Sequence, residues 1–350
     1  MRRFYYTVSE GLDSYTAGVK APCDMCEIMK NRGYHEIRLY EYPKGKVNAS
    51  AKLKKLLTWI RLSLKVKNQS CIVMQYPYNL TTMADSFIRF LQRSKGIRFI
   101  FLLHDIDSIR AYNQSISDQR ERIIPEIDYL ICHNEAMKAY LMRKGIASEK
   151  IYSLGIFDYL HEYNPDQLAE KPHDRNTVII AGNLNVRKSP YLGELLKSKR
   201  DYKINLYGPN FLSSPDFENY DYHGQMDPGE LPVKLEGGYG LVWDGDSLDS
   251  CSGATGKYLR YNNPHKASLY ISSCIPVIVW SQAAIADYIR EHRLGLTVDS
   301  LEEVNRLIRE LDKEEYEAMK ANVKQEAGKL THGWYLNHVL NQIENRERAG

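Results

Sequence analysis

The sequence has no long apolar run and only six cysteines in 350 residues. A membrane span needs roughly 18 to 20 consecutive apolar residues, and no stretch approaches that length. The first residues, MRRFYYTVSEGLDSY, hold two arginines but no apolar signal-peptide core. So few cysteines exclude a disulfide scaffold. These absences predict a cytoplasmic protein without a membrane-spanning helix.

Motifs for cofactors and metals are also scarce. The chain has no G-x-G-x-x-G and no Walker sequence, and GGYG at 237–240 lacks the dinucleotide spacing. Cys23 and Cys26 form a C-x-x-C, but no second pair or histidine cluster accompanies them. We therefore expect no cofactor and no metal. The basic first half lacks a nucleic-acid recognition motif, so we expect no nucleic-acid partner.

Acidic residues are absent between Glu41 and Asp85. This gap contains KLKKLLTWIRLSLKVK, residues 52–67, in which apolar residues follow the spacing of one helix face. Lysines and an arginine occupy much of the remainder. Two interpretations stay open: a helix packed on its own domain, or a basic amphipathic helix on an anionic membrane surface. The apolar face comprises Leu53, Leu56, Leu57, Ile60 and Leu64.

Charge divides the chain in two. Residues 1–160 hold 25 basic and 16 acidic residues, a balance of +9, whereas residues 161–350 hold 22 and 28, a balance of −6. Such an asymmetry favours two domains with different partners.

Short apolar runs alternate with helical patterns, which implies parallel sheets covered by helices on both faces. We predict an α/β protein of two doubly wound, Rossmann-like domains facing a central cleft, over 1–160 and 177–311, joined by a polar linker at 161–176. The charged end, 312–350, has a helical pattern. The predicted strands are 3–8, 36–42, 71–76, 98–104, 129–134, 151–157, 177–183, 203–208, 239–244, 275–280 and 294–299.

In such sheets, ligands bind beyond the carboxyl ends of the strands. YNNPHK, residues 261–266, opens a predicted helix, with Asn263 suited to the N-cap and Pro264 to the first helical position. Lys266 would then carry the wrong charge for a helix start, unless an anion such as a diphosphate binds there. An ordinary cap with a solvated lysine is the alternative.

Three further segments place polar residues after strands. Arg187 and Lys188 of AGNLNVRKSP could reach the same phosphates, and Asp244 of VWDGDS could accept hydrogen bonds from sugar hydroxyls. His104 and Asp105 of LLHDIDSIR end a first-domain strand, where a general base could stand. Each segment could equally be a surface loop or a capping cluster. Basic groups and an anion-binding helix facing one cleft indicate transfer of a glycosyl group from a nucleoside diphosphate.

The segments GLVWDGDS, YLRYNNPHKASLYISSCIPVIVW, AAIADYI, TAGVKAPCD, FIFLLHDIDSIR and IIAGNLNVRKSPYL carry a family likeness. They resemble bacterial GT-B glycosyltransferases of the galactofuranosyltransferase-like group. That group includes β-1,6-galactofuranosyltransferases and the glucosyltransferases that extend O-linked GlcNAc on serine-rich adhesins. One departure is Cys274, where the pattern would have glycine.

The resemblance implies a GT-B fold with a UDP-sugar bound mainly by the C-terminal domain. It implies an acceptor-side N-terminal domain, C-terminal helices over 312–350 that pack back on it, and a homo-oligomer. By motif match, Asn263 and Lys266 would contact UDP, and Arg187 would lie near the diphosphate. Tyr222 would lie near the nucleotide. Thr16 and Gly18 would line the cleft.

We therefore predict a metal-independent, inverting hexosyltransferase that moves galactofuranose or glucose from a UDP-sugar to a saccharide acceptor, in polysaccharide or glycoconjugate synthesis. Asp105 is the first candidate for the base and His104 the second. The acceptor would be lipid-linked, capsular or on a glycoprotein, and residues 52–67 favour a peripheral contact with the inner face of the cell membrane. The alternatives are a nucleotide-sugar epimerase and a non-catalytic UDP-sugar-binding subunit.

Overall fold

Strands and helices alternate in a computed structural model that describes residues 2–10, 17–41, 48–77, 81–110 and 121–349. The strands form two six-stranded sheets in which every pair is parallel. The strands are β1 (Phe4–Glu10), β2 (His35–Tyr40), β3 (Cys71–Tyr76), β4 (Arg98–Leu103), β5 (Tyr129–Cys132), β6 (Ile151–Ser153), β7 (Thr177–Ala181), β8 (Lys203–Tyr207), β9 (Tyr220–Tyr222), β10 (Tyr239–Val242), β11 (Val277–Trp280) and β12 (Gly295–Val298).

Helices separate most of these strands. They are α1 (Ala17–Asn31), α2 (Ala49–Lys65), α3 (Thr82–Lys95), α4 (Glu135–Arg143), α5 (Pro165–Ala169), α6 (Pro190–Lys197), α7 (Leu231–Lys234), α8 (Gly253–Tyr258), α9 (His265–Ser272), α10 (Ala286–His292), α11 (Val304–Glu310), α12 (Lys313–Thr331) and α13 (Trp334–Ala349). Within the described part of the chain, no helix combines the length and the apolar character that crossing a membrane requires.

The first compact unit comprises residues 1–14, 22–154 and 336–350. Its strand order is β2-β1-β3-β4-β5-β6. Every residue of β3 is buried, as is typical of a parallel strand covered on both faces. The last turns of α13 belong to this unit, where Glu344 accepts hydrogen bonds from Arg32 Nε at 2.8 Å and from the Tyr34 hydroxyl at 2.6 Å.

The second unit comprises residues 15–21 and 155–335, with strand order β12-β11-β10-β7-β8-β9. Residues 161–176, predicted as a linker, lie within this unit and contain α5. Strand β9 was not predicted, because three partly or fully exposed residues are too few to show a strand pattern.

Several predicted strands end earlier than expected. The structure ends β6, β7 and β8 before Gly155, Gly182 and Gly208, which have φ values of 90°, 135° and 142°. These backbone angles lie outside the extended region of a strand, and glycine reaches them at little cost.

Candidate functional site

A pocket of about 480 Å³ opens at the carboxyl ends of β7 and β8 in the second unit. This is the edge of a doubly wound sheet where ligands bind, and the volume is that of a small-molecule site. The lining residues are Lys20, Tyr159, Ala181, Gly182, Asn183, Tyr207, Gly208, Pro209, Gln225, Met226, Pro228, Leu231, His265, Lys266 and Leu269.

Backbone rather than side chains forms the wall where the two strands end. A Cβ on Gly208 would lie 1.8 Å from the carbonyl oxygen of Gly182, so no larger residue fits without moving one of the strand ends. The Gly208 carbonyl in turn accepts a hydrogen bond of 2.9 Å from the Tyr222 hydroxyl. The backbone contacts between the two strand ends therefore fix the position of this wall of the pocket.

Helix α9 begins at His265, not at Pro264 as predicted. Pro264 occupies the N-cap position with an extended backbone, φ −65° and ψ 131°, and no side chain caps the helix. Asn263 is buried, and its side-chain amide donates to the Gly155 carbonyl. The predicted N-cap role of Asn263 is therefore wrong, because this amide holds the preceding loop.

Helix α9 is held against the sheet by Tyr270, which lies in its second half. The ring packs on β10, where a Cβ on Gly240 would lie 2.1 Å from the ring carbon Cγ. The Tyr270 hydroxyl accepts a hydrogen bond of 2.7 Å from the backbone amide of Ala181, a residue of the pocket wall. Gly240 therefore permits the close approach that places α9 beside the pocket.

Lys266 lies in the first turn of α9 and lines the pocket, and its ammonium donates to the Trp243 carbonyl at 3.0 Å. No acidic residue stands in that turn. The first amides of a helix have no acceptors within the helix, and its dipole is positive at this end. The Ala267 amide donates to the Pro264 carbonyl at 2.9 Å, so the amides of His265 and Lys266 are the ones that, with the Lys266 ammonium, favour an anionic ligand.

His265 lines the pocket beside Lys266. Burial lowers the pKa of its imidazole to about 4, so the ring is neutral near pH 7. The ring hydrogen-bonds the backbone of Asp158, and among the described residues Nε2 has no partner. Nδ1 therefore carries the proton, and the buried Nε2 is left as a hydrogen-bond acceptor. The ring stacks on Tyr159, with centroids 4.9 Å apart.

Lys20 of α1 is a second cation at the pocket, and it was not predicted. Its ammonium donates to the Leu160 carbonyl at 2.5 Å and lies 4.7 Å from the centre of the Tyr159 ring. In the segment TAGVKAPCD, the residues predicted to line the cleft were Thr16 and Gly18, which lies two residues before Lys20. Nothing in the local sequence distinguishes Lys20 from a surface lysine.

Several predicted binding residues do not line the pocket. Arg187 and Lys188 are exposed in the loop after β7, and Asp244 accepts hydrogen bonds from the Gly245 amide at 3.0 Å and the Ser189 hydroxyl at 3.4 Å. Gly18 lies in the first turn of α1. Thr16 lies outside the described residues.

His104 and Asp105, the predicted bases, follow β4 in the first unit. His104 Nε2 lies 2.6 Å from the side-chain oxygen of Gln75. The Gln75 amide nitrogen donates to Cys26 Sγ and the Pro22 carbonyl, both at 3.0 Å, which fixes its oxygen as an acceptor. His104 therefore donates from Nε2. Asp105 forms an ion pair with Arg110.

No group of three or more histidine, cysteine, aspartate or glutamate side chains is arranged to hold a metal among the residues that the structure describes. Burial raises the pKa of the Cys26 thiol to about 12, far from the thiolate that a metal needs.

Comparison with known proteins identifies the family. The N-terminal model of the glucosyltransferase 3-like proteins matches residues 4–156, and the C-terminal model matches residues 178–343. The chain belongs to the glucosyltransferase 3-like family. Glycosyltransferases with known structures share its GT-B fold, with TM-scores from 0.56 to 0.64. The predicted family, fold and enzyme class are therefore confirmed.

Relatives of this glucosyltransferase 3-like chain differ in the sugar that their names give. The β-1,6-galactofuranosyltransferase WbbI of Escherichia coli strain K12 is 32% identical over 335 residues, which is 93% of this chain and 94% of that protein. Glucosyltransferase 3 of Streptococcus gordonii is 27% identical over 94% of this chain and 95% of that protein. HepE of Anabaena, solved in complex with UDP, has a TM-score of 0.60 at 11% identity, with full coverage of both chains.

Proposed function

We propose that this glycosyltransferase moves a hexose, galactofuranose or glucose, from a UDP-sugar to a saccharide acceptor in polysaccharide or glycoconjugate synthesis. We further propose that the transfer inverts the anomeric centre and needs no metal. Family membership supports transfer of a sugar, and the relatives named for galactofuranose and for glucose leave both sugars within the proposal.

The observation that carries the proposal is the start of α9 beside the pocket. Lys266 and the first helical amides lie where the diphosphate of a donor would bind, and Lys20 adds a second cation. When the bond between the sugar carbon and the diphosphate oxygen breaks, negative charge grows on the diphosphate. Fixed amides and ammonium groups stabilise that charge without a metal.

Hydroxyl groups of the donor would meet His265 in the same pocket. A neutral imidazole with an accepting Nε2 binds a hydroxyl, whereas an imidazolium could only donate. We assign this atom to a hydroxyl of the ribose or of the transferred sugar. Tyr222 and Asn263 are not among the lining residues. We keep Tyr222 as a proposed neighbour of the nucleotide, because its hydroxyl donates to the Gly208 carbonyl of the pocket. The predicted contact of Asn263 with UDP also stays a proposal, and its amide holds the loop before α9.

In an inverting transfer, the acceptor oxygen bonds to the anomeric carbon as UDP leaves, and a base takes the hydroxyl proton. We propose Asp105 as that base, with His104 as the alternative. Asp105→Asn should lower kcat by about 10²- to 10⁴-fold and leave the Kd for UDP unchanged. A nearly normal kcat would transfer the role to His104, and His104→Gln tests it in the same assay.

The proposal includes the predicted partners. A glycan acceptor, on a lipid, in a capsule or on a glycoprotein, is required for transfer. A homo-oligomer and a cytoplasmic location at the inner face of the membrane remain predictions, with residues 52–67 as the membrane contact.

The test is calorimetric titration of UDP in the presence of EDTA, with wild type, Lys266→Ala and the exposed control Lys257→Ala. A charged hydrogen bond contributes about 1.5–3 kcal/mol, so loss of Lys266 should raise the Kd about 10- to 100-fold. Lys257→Ala should bind as wild type does. No binding of UDP, or equal binding by both variants, would overturn the assignment of the pocket.

Turnover then separates the enzyme classes. Incubation with UDP-galactofuranose or UDP-glucose and a saccharide acceptor should release UDP only when both substrates are present. Conversion of one UDP-sugar into another without acceptor would indicate an epimerase. UDP binding without turnover of either sugar across an acceptor panel would favour a non-catalytic subunit.

A further inference from the structure

Helix α2 turns an apolar stripe away from its own unit. Its buried side includes Trp59, which stacks on Phe87 of α3 with ring centroids 5.7 Å apart, and Leu62. The predicted apolar face points the other way. Its exposed fractions are 56% for Leu53, 42% for Leu57, 38% for Ile60 and 79% for Leu64.

The stripe is continuous along the helix. Residues spaced i, i+4, i+7 and i+11 fall within about 60° of one another on an α-helix, over roughly 16 Å of its axis. Ala51, Trp59 and Leu62 lie on the opposite side and are buried. The stripe is therefore the outermost line of this helix, and large apolar residues so grouped mark an interaction surface.

Cations border the stripe. Lys54, Arg61 and Lys65 follow one edge, Lys52 lies on the other, and Lys67 comes just after the helix; all five are exposed. In the described part of the chain, none of them lies within the 4 Å of a carboxylate that would make an ion pair. The sequence between Glu41 and Asp85 has no acidic residue. Two of the cations have contacts within the unit: the Lys65 ammonium donates to the Glu36 carbonyl at 2.9 Å, and Lys54 lies 5.7 Å from the centre of the Tyr40 ring.

We propose that α2 docks this protein on an anionic lipid surface. The side chains of Leu53, Leu57, Ile60 and Leu64 enter the boundary between headgroups and acyl chains, while the bordering cations contact lipid phosphates. An amphipathic helix with this division lies in the plane of the interface. The inference rests on the proposed function, because it deepens the membrane contact of residues 52–67 named there. Its test does not depend on the donor pocket.

The charge pattern favours lipid over a second copy of the chain. Two copies meeting stripe to stripe would bring like charges together along both edges, at a cost. The stripe also spans only four side chains, far less than the roughly 20 residues a side of a stable protein interface. An anionic bilayer supplies both an apolar layer and the opposite charge.

The experiment is co-sedimentation of the full chain with vesicles of phosphatidylcholine, alone or mixed with phosphatidylglycerol. Wild type should bind the mixed vesicles, and added salt should weaken that binding. Leu57→Gln combined with Leu64→Gln should reduce partitioning at least about ten-fold. Leu212→Gln, at a residue of the second unit with 72% exposure, is the matched control and should bind as wild type does.

Lys54→Gln combined with Arg61→Gln should weaken binding about five-fold per charge at low salt. Because these side chains are exposed, circular dichroism should show each variant folded. Absence of wild-type binding to mixed vesicles, or equal binding by the leucine variant, would overturn the proposal. A third outcome would also overturn it: wild type does not bind vesicles, and the leucine variant has a different molar mass from wild type in light scattering. That result would assign the stripe to contact with a second copy of the chain.

Discussion

Replacement of Gly240 by alanine should displace helix α9 through Tyr270. The added Cβ would lie 2.1 Å from Tyr270 Cγ, whereas carbon atoms in contact are about 3.5 Å apart, so one of them must move by roughly 1.4 Å. The ring cannot turn away freely, because it is buried and its hydroxyl holds the Ala181 amide. Overpacking of a well-packed core costs about 1–3 kcal/mol.

Calorimetry can measure both consequences of Gly240→Ala. For a unit of this size, that cost lowers the Tm by about 2–12 °C. Displacement of Lys266 should also raise the Kd for UDP about ten-fold or more, because a shift of about 1 Å in a binding group weakens its contact with the ligand. The control is Gly193→Ala in α6, where a Cβ would meet nothing nearer than 3.7 Å and helix propensity improves. A Gly240→Ala protein that melts and binds UDP like wild type would refute the role of the close approach.

Two other predictions concern buried ionisable groups. The folded pKa values of His133 and His265 are lowered by burial to about 4, so an unfolded chain binds more protons between pH 6.5 and pH 4. The free energy of unfolding should therefore fall as pH falls through that window, by up to about 3 kcal/mol per histidine, in urea titrations at a series of pH values; a flat profile would contradict the burial. Glu347→Ala should cost about 2–4 kcal/mol, because it leaves Arg2 and the Tyr129 hydroxyl without their carboxylate. Removal of the exposed Glu310, paired with Arg306, should cost less than about 1 kcal/mol in the same assay.

The sheets could be predicted because burial on both faces leaves continuous apolar runs. Strand β3 is buried throughout and was predicted with its observed bounds. Strand ends were less certain, because a single glycine such as Gly182 turns the backbone without interrupting the apolar pattern. Strand β9 could not be predicted, since an exposed edge strand buries too little to need apolar residues.

The start of α9 shows which parts of a site sequence can indicate. The sequence pointed to Lys266, because a cation is unfavourable at a helix start without an anion, and Lys266 lines the pocket. Binding of an anion there stays a prediction. The prediction of Asn263 as the N-cap was wrong. Pro264 occupies that position with an extended backbone, and the Asn263 amide holds the preceding loop. Cys274, where the resemblance led us to expect glycine, has φ +60°, a conformation that glycine adopts without strain.

Two pocket residues, Lys20 and His265, depend on contacts that no local pattern encodes. Lys20 reaches the pocket because Tyr159 and the Leu160 carbonyl hold its ammonium, and these are far away in sequence. The neutral state and the tautomer of His265 depend on its burial and on the backbone of Asp158. Local sequence could place both residues near a strand end or a helix start, but their chemistry follows from tertiary packing.

Helix α2 reverses the usual relation between an apolar stripe and the core. Periodicity predicted the helix and the stripe, but packing decides which side is covered, and Trp59 on the opposite side provides more buried surface than any leucine of the stripe. Lys55 lies on the same side of the helix as Trp59 and is buried with it, and this burial lowers the pKa of Lys55 to about 8. A helix that buries a lysine while exposing four large apolar side chains is stable in water only because Trp59 and Leu62 anchor it. The same arrangement leaves the stripe and its cations available to a surface that is both apolar and anionic.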